Sequence, residues 1–104
     1  MTMSDVSFLG GADVQALDAA AARLGVTAFR LANTCTGCGD DLLRHPRIAI
    51  CVAQLDNGHR ILFPLCTACS RQLRARRVKV ARAIERRLSN DFADARGAGR
   101  RVTA

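Results

Sequence analysis

The chain has 104 residues, which suits one small domain with a modest apolar core. Its formal net charge is +7, with two basic and five acidic residues in 1–43 but fourteen basic and four acidic residues in 44–104. This asymmetry favours a polyanionic partner for the second half of the chain. The only aromatic residues are four phenylalanines, so the core must be built mainly from aliphatic side chains.

Neither a secretory signal nor a membrane span is expected from the sequence. The first residues carry no positive charge, and no apolar segment there precedes a small-residue cleavage site. The longest apolar runs are too short to cross a bilayer. We therefore expect a cytoplasmic protein, in which cysteine thiols stay reduced.

The N-terminal part of the sequence predicts one helix between two less regular segments. Residues 1–11, MTMSDVSFLGG, lack a clear period and end in a glycine pair, which predicts a flexible leader. Within residues 12–32, the segment ADVQALDAAAARLG predicts a helix with Asp13 as its N-cap and Gly25 just past its end. The segment VTAFRLAN favours an extended conformation that leads to the first cysteine.

A β-hairpin is predicted around Asn57-Gly58, between RIAICVAQL and RILFPL. Asn-Gly is the dipeptide most typical of a two-residue type I′ turn, and such a turn would pair Val52 with Phe63. Pro64 then falls at a site that needs no hydrogen bond to the partner strand, as on an edge strand. Both faces of this hairpin are apolar, so each needs a covering layer.

From Thr67 to about Leu88 the sequence predicts a single long helix, followed by a basic C-terminal tail at residues 91–104. We expect its apolar stripe to pack on the hairpin face that carries Val52 and Phe63. The stripe consists of Leu73, Val80, Ala81, Ile84 and Leu88. The opposite face carries Arg71, Lys79, Arg82 and Arg86.

Two CxxC pairs are the strongest chemical signal in the chain. They are separated by 27 residues, enough for a loop and the predicted hairpin. Four thiolates match the tetrahedral geometry that zinc prefers, and a two-residue spacer lets both sulfurs of a pair face one ion. We therefore predict one structural Zn²⁺ per chain, held by Cys35, Cys38, Cys66 and Cys69.

Other interpretations of these residues stay open at this point. LFPLCTACSRQL has the strand–CxxC–helix outline of a thioredoxin-like redox motif, and disulfides would need an oxidising compartment. Cys51 lies between two apolar residues of a strand and is predicted to be a small buried hydrophobic residue. His45 and His59 lie at a loop and a turn, where either could replace a cysteine as ligand.

The order of these features resembles a treble-clef, or zinc-ribbon-like, zinc finger with four cysteine ligands. The resemblance spans roughly Asn33 to Leu88 and rests on CTGCG, LDNGHR and LCTACSRQL. It implies a small α+β domain at residues 33–90, with a zinc knuckle, a hairpin and a long basic helix, to which an N-terminal helix is added. This fold family includes nucleic-acid binders, protein-binding modules and nucleases, so the resemblance alone does not assign a function.

We do not expect an enzyme. A treble-clef nuclease of the HNH type would place a histidine or asparagine on the helix after Cys69. That segment has no histidine, and Asn90 lies beyond its predicted end. A closed site of four sulfurs also leaves no coordination position for a reactive water.

The basic helix favours a phosphate-rich partner. Between Arg71 and Arg87 there are eight basic residues and one acidic residue, Glu85. Such like charge repels itself, and the forked donors of arginine match phosphate oxygens. Because aromatic stacking platforms are scarce, we predict contact with the backbone of duplex nucleic acid. The predicted contact residues are Arg71, Arg74, Lys79, Arg82 and Arg86.

A second interpretation is a zinc-stapled adaptor that binds a protein partner. It includes a regulator or inhibitor of a larger complex, such as one encoded by a mobile element or its host. The alanine-rich N-terminal helix suits close packing or a dimer contact, and Val78 projects among arginines away from the apolar stripe. Salt-sensitive binding to random duplex DNA would separate the two interpretations.

Overall fold

A computed structural model describes residues 2–92 and the backbone of residues 100–102. The described chain is an α+β fold, as predicted, in which helices cover both faces of one mixed sheet. In chain order the elements are β1 (Met3–Leu9), α1 (Gly11–Gln15), α2 (Leu17–Leu24), β2 (Ala28–Arg30), a 3-10 turn (Leu42–Arg44), β3 (Ile48–Leu55), β4 (Arg60–Cys66), α3 (Thr67–Arg74), α4 (Val78–Asp91) and β5 (Arg100–Val102).

The sheet has the strand order β1-β3-β4-β2-β5. β3 pairs antiparallel with both β1 and β4, whereas β2 runs parallel to β4 and to β5. None of the helices among the described residues has the length and apolarity needed to cross a lipid bilayer.

Each face of the sheet has its own apolar core, which agrees with the prediction that both hairpin faces need a cover. The larger core joins β3 and β4 to α3 and α4. Its helix side is formed by four residues of the predicted stripe together with the residue that follows α4: Leu73, Val80, Ile84, Leu88 and Phe92. The smaller core packs Ile50, Val52 and Leu62 against Ala21 of α2 and Phe29 of β2. Each large side chain fully removed from water contributes roughly 1.5–3 kcal/mol.

The hairpin register differs by one residue from the prediction. Cys51, not Val52, faces Phe63 across the strands. The Leu55 amide donates to the His59 carbonyl at 2.7 Å, which leaves a loop of three residues instead of two. Gly58 has a φ of 97° while Asn57 keeps a negative φ, so the loop is a type I turn closed by a left-handed glycine and not a type I′ turn.

The one-residue shift changes which residues of β3 face which helix layer. The odd-numbered residues Cys51, Ala53 and Leu55 lie under α3 and α4, and Ile50 and Val52 lie in the smaller core. The prediction that the stripe packs on the Val52 side was therefore wrong for β3, although it was right for β4.

Pro64 lies, as predicted, at a site that has no hydrogen bond to β3. β4 is not an edge strand, however, because it lies between β3 and β2. Pro64 stands opposite Ile50, and β2 pairs with β4 only at Ile61 and Leu62. The Pro64 carbonyl instead accepts from the amide and the hydroxyl of Thr36, at 3.1 and 2.7 Å.

The predicted flexible leader at residues 1–11 is largely a strand in the structure. β1 pairs with β3 along most of its length, with a shift in register between Ser4 and Ser7. Asp5, inside that shift, has a φ of 49°. The irregularity interrupts the alternation of apolar and polar residues by which a strand is recognised in a sequence.

The predicted N-terminal helix is divided into α1 and α2 at Ala16. Asp13 is not an N-cap, because it lies inside α1, where its carboxylate accepts from Arg23 at 2.8 Å. Gly25 ends α2 with a φ of 70°, the left-handed conformation that its predicted position requires.

The predicted basic tail at residues 91–104 overlaps the folded part of the chain. Phe92 is fully buried in the larger core, and the backbone of Arg100–Val102 pairs with β2. Residues 93–99 and 103–104 lie outside the described residues.

The predicted long helix is interrupted between α3 and α4. The Arg77 amide donates to the Gln72 carbonyl at 3.0 Å and the Arg76 amide to the Leu73 carbonyl at 2.9 Å, which together form a Schellman motif. Arg76 has a φ of 58°, at the position where such motifs usually have glycine. Arg77 precedes α4 as its N-cap, and α4 continues to Asp91, so Asn90 lies inside the helix and not beyond its end as predicted.

Replacing Arg76 with glycine is expected to stabilise the fold. A residue with a side chain in the left-handed conformation is strained by about 1–2 kcal/mol, and glycine removes this strain. Glycine also makes the unfolded chain more flexible, which offsets part of the benefit, so we expect the free energy of unfolding to rise by about 0.5–1 kcal/mol. Arg71→Gly is the matched control, because Arg71 is an exposed residue of α3 and glycine there should cost about 1 kcal/mol. Denaturant unfolding of the metal-loaded protein measures both, and equal losses in the two variants would contradict the prediction.

Candidate metal centre

The cysteines of the two CxxC pairs converge where β4 passes into α3. Cys35 and Cys38 belong to a loop after β2, Cys66 is the last residue of β4, and Cys69 lies in the first turn of α3. Their four Sγ atoms all lie within 4.8 Å of one another. The Cys38 and Cys66 sulfurs are 3.9 Å apart, close to the edge of about 3.8 Å in a tetrahedron with metal–sulfur bonds of about 2.3 Å. The predicted convergence is confirmed, and the group can hold a metal ion.

Three of the four ligands are buried and one faces solvent. Cys35, Cys66 and Cys69 are members of the larger core, whereas Cys38 is exposed. A hollow of about 370 Å³ opens beside the cluster and is bordered by Cys38 and by Lys79 of α4. The centre therefore lies at the rim of the core.

The cysteine loop, residues 35–40, is closed by two backbone hydrogen bonds. The Cys35 amide donates to the Asp40 carbonyl, and the Gly39 amide donates to the Cys35 carbonyl, each at 2.9 Å. Gly39 has a φ of 79°, which a residue with a side chain rarely adopts. At Gly37 the constraint is space, because an added Cβ would lie 2.8 Å from the Cys69 sulfur.

Backbone amides converge on the Cys35 sulfur. The amides of Cys66 and Gly37 donate to it at 3.2 and 3.3 Å. Burial raises the pKa of the Cys35 thiol, but the amides of Cys66, Cys38 and Gly37 outweigh burial and lower that pKa to about 7. Cys35 therefore ionises more readily than an ordinary cysteine thiol.

The other affected ligands are harder to ionise. Burial raises the pKa of Cys38 and of Cys69, and a charge on Cys35 raises both further. Four thiolates can thus coexist in this space only with a cation between them, so metal binding must release protons.

Arg87 of α4 supports the cysteine loop from outside. Its Nη1 donates to the Cys35 carbonyl at 3.0 Å. A Cβ added to Gly39 would lie 2.9 Å from the same Nη1, so the loop passes close against the guanidinium group. The Arg87 side chain therefore fixes the loop to α4 and places a positive charge near the sulfurs.

Arg30 is a second support, and it is buried. It donates to the Thr34 carbonyl at 2.8 Å, to the Thr36 hydroxyl at 3.1 Å and to the Asp91 carboxylate at 3.1 Å. It thus connects β2, the start of the cysteine loop and the end of α4. Sequence reasoning assigned no role to Arg30, although a single charge inside the apolar segment VTAFRLAN is a signal for one.

The remaining cysteine and both histidines lie outside the cluster. Cys51 is fully buried in the larger core, and burial raises its pKa to about 12, so its predicted role as a buried hydrophobic residue is confirmed. His45 Nε2 lies 2.7 Å from the Asp40 carboxylate, and the ring of His59 lies 6.1 Å from that of Phe92. Among the described residues, the metal-binding group contains the four cysteines and neither histidine.

The predicted nucleic-acid contacts are all exposed but do not share one helix face. Arg71 and Arg74 belong to α3, and the Arg74 guanidinium carbon lies 3.9 Å from the Phe8 ring centroid. On α4, Lys79 borders the hollow beside the cysteines, whereas Arg82 lines a separate groove. Arg86 is exposed on the same helix. None of these five forms an ion pair within the part of the chain that the structure describes.

Elemental analysis of freshly reduced protein should find one metal ion per chain. Cys66→Ser should lose the ion, because a ligand at the centre of the group disappears. Cys51→Ser should keep it and lose only stability, by about 1–3 kcal/mol, because a hydroxyl enters an apolar core. Metal-free wild-type protein, or equal metal loss in both variants, would contradict this assignment.

Gly37→Ala should damage the site without removing a ligand. The new methyl group would be 2.8 Å from the Cys69 sulfur, so either the loop or the helix start must move. Gly11→Ala is the matched control, since a Cβ at Gly11 meets nothing within 4 Å. Competition with a chromophoric chelator should show weaker metal binding for Gly37→Ala alone, and unchanged binding would show that the site tolerates the displacement.

Comparison with known proteins assigns no family to the chain. No protein-family model, no curated protein and no solved structure matches it. The geometry of the four cysteines and the surfaces around them are therefore the basis for a functional interpretation.

Proposed function

We propose that the protein is a small, non-catalytic module that binds one structural Zn²⁺ and contacts the phosphate backbone of duplex nucleic acid. Zinc fits the four cysteines because it accepts four thiolates in a tetrahedron. A site closed by four sulfurs has no free position for a substrate or a reactive water. The proposed role of the ion is therefore to hold the fold.

The order of elements around the centre supports a treble-clef assignment within this proposal. The cysteine loop supplies two ligands, β3 and β4 form the hairpin, and α3 begins at the second pair. β1, α1, α2 and β2 would then be additions that extend the sheet and cover its second face. The assignment concerns architecture and leaves the partner to be argued from the surface.

The observation that carries the nucleic-acid proposal is a set of exposed cations that have no ion-pair partner among the described residues. Across α3, its connection to α4, and α4, seven basic side chains are exposed, and none forms an ion pair among the described residues. They are Arg71, Arg74, Arg76, Arg77, Lys79, Arg82 and Arg86. Like charges this dense repel one another, and phosphates along a duplex would relieve that repulsion.

The distribution of aromatic side chains favours duplex over single-stranded nucleic acid. Phe63 and Phe92 are fully buried, Phe29 is buried in the smaller core, and Phe8 is half-buried beneath Arg74. No phenylalanine is thus free to stack on an unpaired base, which is the usual anchor of single-strand binders.

Loss of three cations should weaken binding to any duplex sequence. We choose Arg71, Lys79 and Arg86, replaced together by glutamine, because all three are exposed. The slope of log affinity against log salt should become shallower by about one unit for each lost phosphate contact. Fluorescence anisotropy with labelled random-sequence duplex DNA measures this slope.

The matched control removes three exposed arginines elsewhere, Arg23, Arg44 and Arg47. It changes the net charge equally, so its affinity should stay near that of the wild type. Equal losses in both variants would indicate attraction by net charge alone. A folded, metal-loaded wild type that binds no duplex at low salt would exclude the proposal.

A further inference from the structure

A second surface lies where β1 faces α3 and α4. A groove of about 840 Å³ runs between β1 and the layer formed by α3 and α4. It exists because the helices pack on β3 and β4, while β1 is the outermost strand of the sheet and is only partly covered. The groove does not include Lys79, Arg71 or Arg86.

The floor of this groove is apolar. Val6 and Phe8 of β1 and Ala81 of α4 are half-buried against the larger core, and Leu73 is buried beside them. Val78, the first residue of α4, also lines the groove and is 61% exposed. This apolar surface continues the core outward, and a partner side chain placed there would lose contact with water as a core residue does.

The rim of the groove is positively charged. Arg74, Arg76 and Arg82 line it, and the one acidic residue there, Glu85, accepts from the Met3 amide at 2.8 Å. The Glu85 carboxylate is thus occupied with holding β1, while Arg76 and Arg82 have no ion-pair partner among the described residues. The charge of the rim complements a carboxylate-rich ligand.

The shape of β1 disfavours one common way of occupying such a groove. The register shift between Ser4 and Ser7 and the φ of 49° at Asp5 make the outer edge of β1 irregular, which hinders the addition of another strand. An amphipathic helix needs no such edge, because it contacts a groove through side chains spaced at i, i+3, i+4 and i+7. The described C-terminal strand, β5, lies at the opposite edge of the sheet and does not cover the groove.

We propose that this groove binds an acidic amphipathic helix of a partner protein. Aliphatic side chains of the helix contact Val6, Phe8 and Val78, and its carboxylates contact Arg76 and Arg82. This proposal does not depend on the nucleic-acid function, because the residues that test that function, Arg71, Lys79 and Arg86, do not line the groove.

A selection from displayed random peptides of about 15 residues tests the proposal, since that length can form a helix on binding. We expect the selected peptides to combine leucine, isoleucine or phenylalanine at helical spacing with aspartate or glutamate. Selection of basic peptides, or of none above background, would overturn the proposal.

The strongest selected peptide is then measured against two matched double variants. The double variant R76E/R82E should weaken binding at least about tenfold. The control variant R71E/R86E changes the charge by the same amount outside the groove, and it should weaken binding less than about twofold. A peptide with lysine in place of its acidic residues should bind the R76E/R82E variant more tightly than the wild-type protein, because the charges are then reversed on both sides. Equal effects of the two double variants would overturn the proposal.

Val78→Glu tests the apolar floor separately. The residue is exposed and glutamate suits the first turn of a helix, so folding and metal content should be retained. Peptide binding should fall at least about tenfold. Two results would overturn the proposal. A concentration-dependent dimer that Val78→Glu dissociates would assign the groove to a second copy of the chain. Loss of duplex DNA binding in the R76E/R82E variant, but not in the variant of Arg71, Lys79 and Arg86, would assign the groove to nucleic acid.

Discussion

The junction between β4 and α3 is the constraint on which the rest of the structure depends. Cys66 ends the strand and is also the N-cap of the helix, where its sulfur accepts from the Cys69 amide at 3.5 Å. The Cys66 amide in turn donates to the Cys35 sulfur, so this single residue connects the strand, the helix and the cysteine loop. Because Cys35, Cys66 and Cys69 are also members of the larger core, a metal ion at this point would hold both the ligand loop and one wall of that core.

Electrostatics explains why two arginines lie beside the cysteine loop. A divalent ion with four thiolates carries a net charge of about −2, which is costly next to an apolar core. Arg87 approaches the cysteine loop at the Cys35 carbonyl, and buried Arg30 holds the start of that loop while pairing with Asp91. The same two contacts fix the last turns of α4. The cysteine loop and α4 are therefore joined by charged contacts as well as by packing.

The sequence predicted the chemistry of the centre better than the paths of the strands and helices. The CxxC spacing identified four cysteines that converge and can hold a metal ion, and periodicity identified the buried residues of α4, because both depend on local geometry. The hairpin register was wrong by one residue because Asn57-Gly58 fits either of two turn types, and only contacts across the strands decide between them. β1 was missed because its bulge breaks the alternating pattern, and the role of Arg30 was missed because its ion-pair partner, Asp91, is distant in sequence. These features depend on tertiary contacts that a local pattern does not contain.

The break at Arg76 separates the basic residues of α3 from those of α4. On α4, Lys79 borders the hollow beside the cysteines and Arg82 lines the groove, so cations of one helix adjoin two different hollows. Arg76 itself stands at the groove rim in a left-handed conformation that glycine would adopt at lower cost. Strained backbone conformations persist only where the surrounding structure fixes them, and they cluster at ligand-binding sites. Arg76 pairs with no carboxylate among the described residues, so its guanidinium is available to the acidic ligand that we propose for the groove.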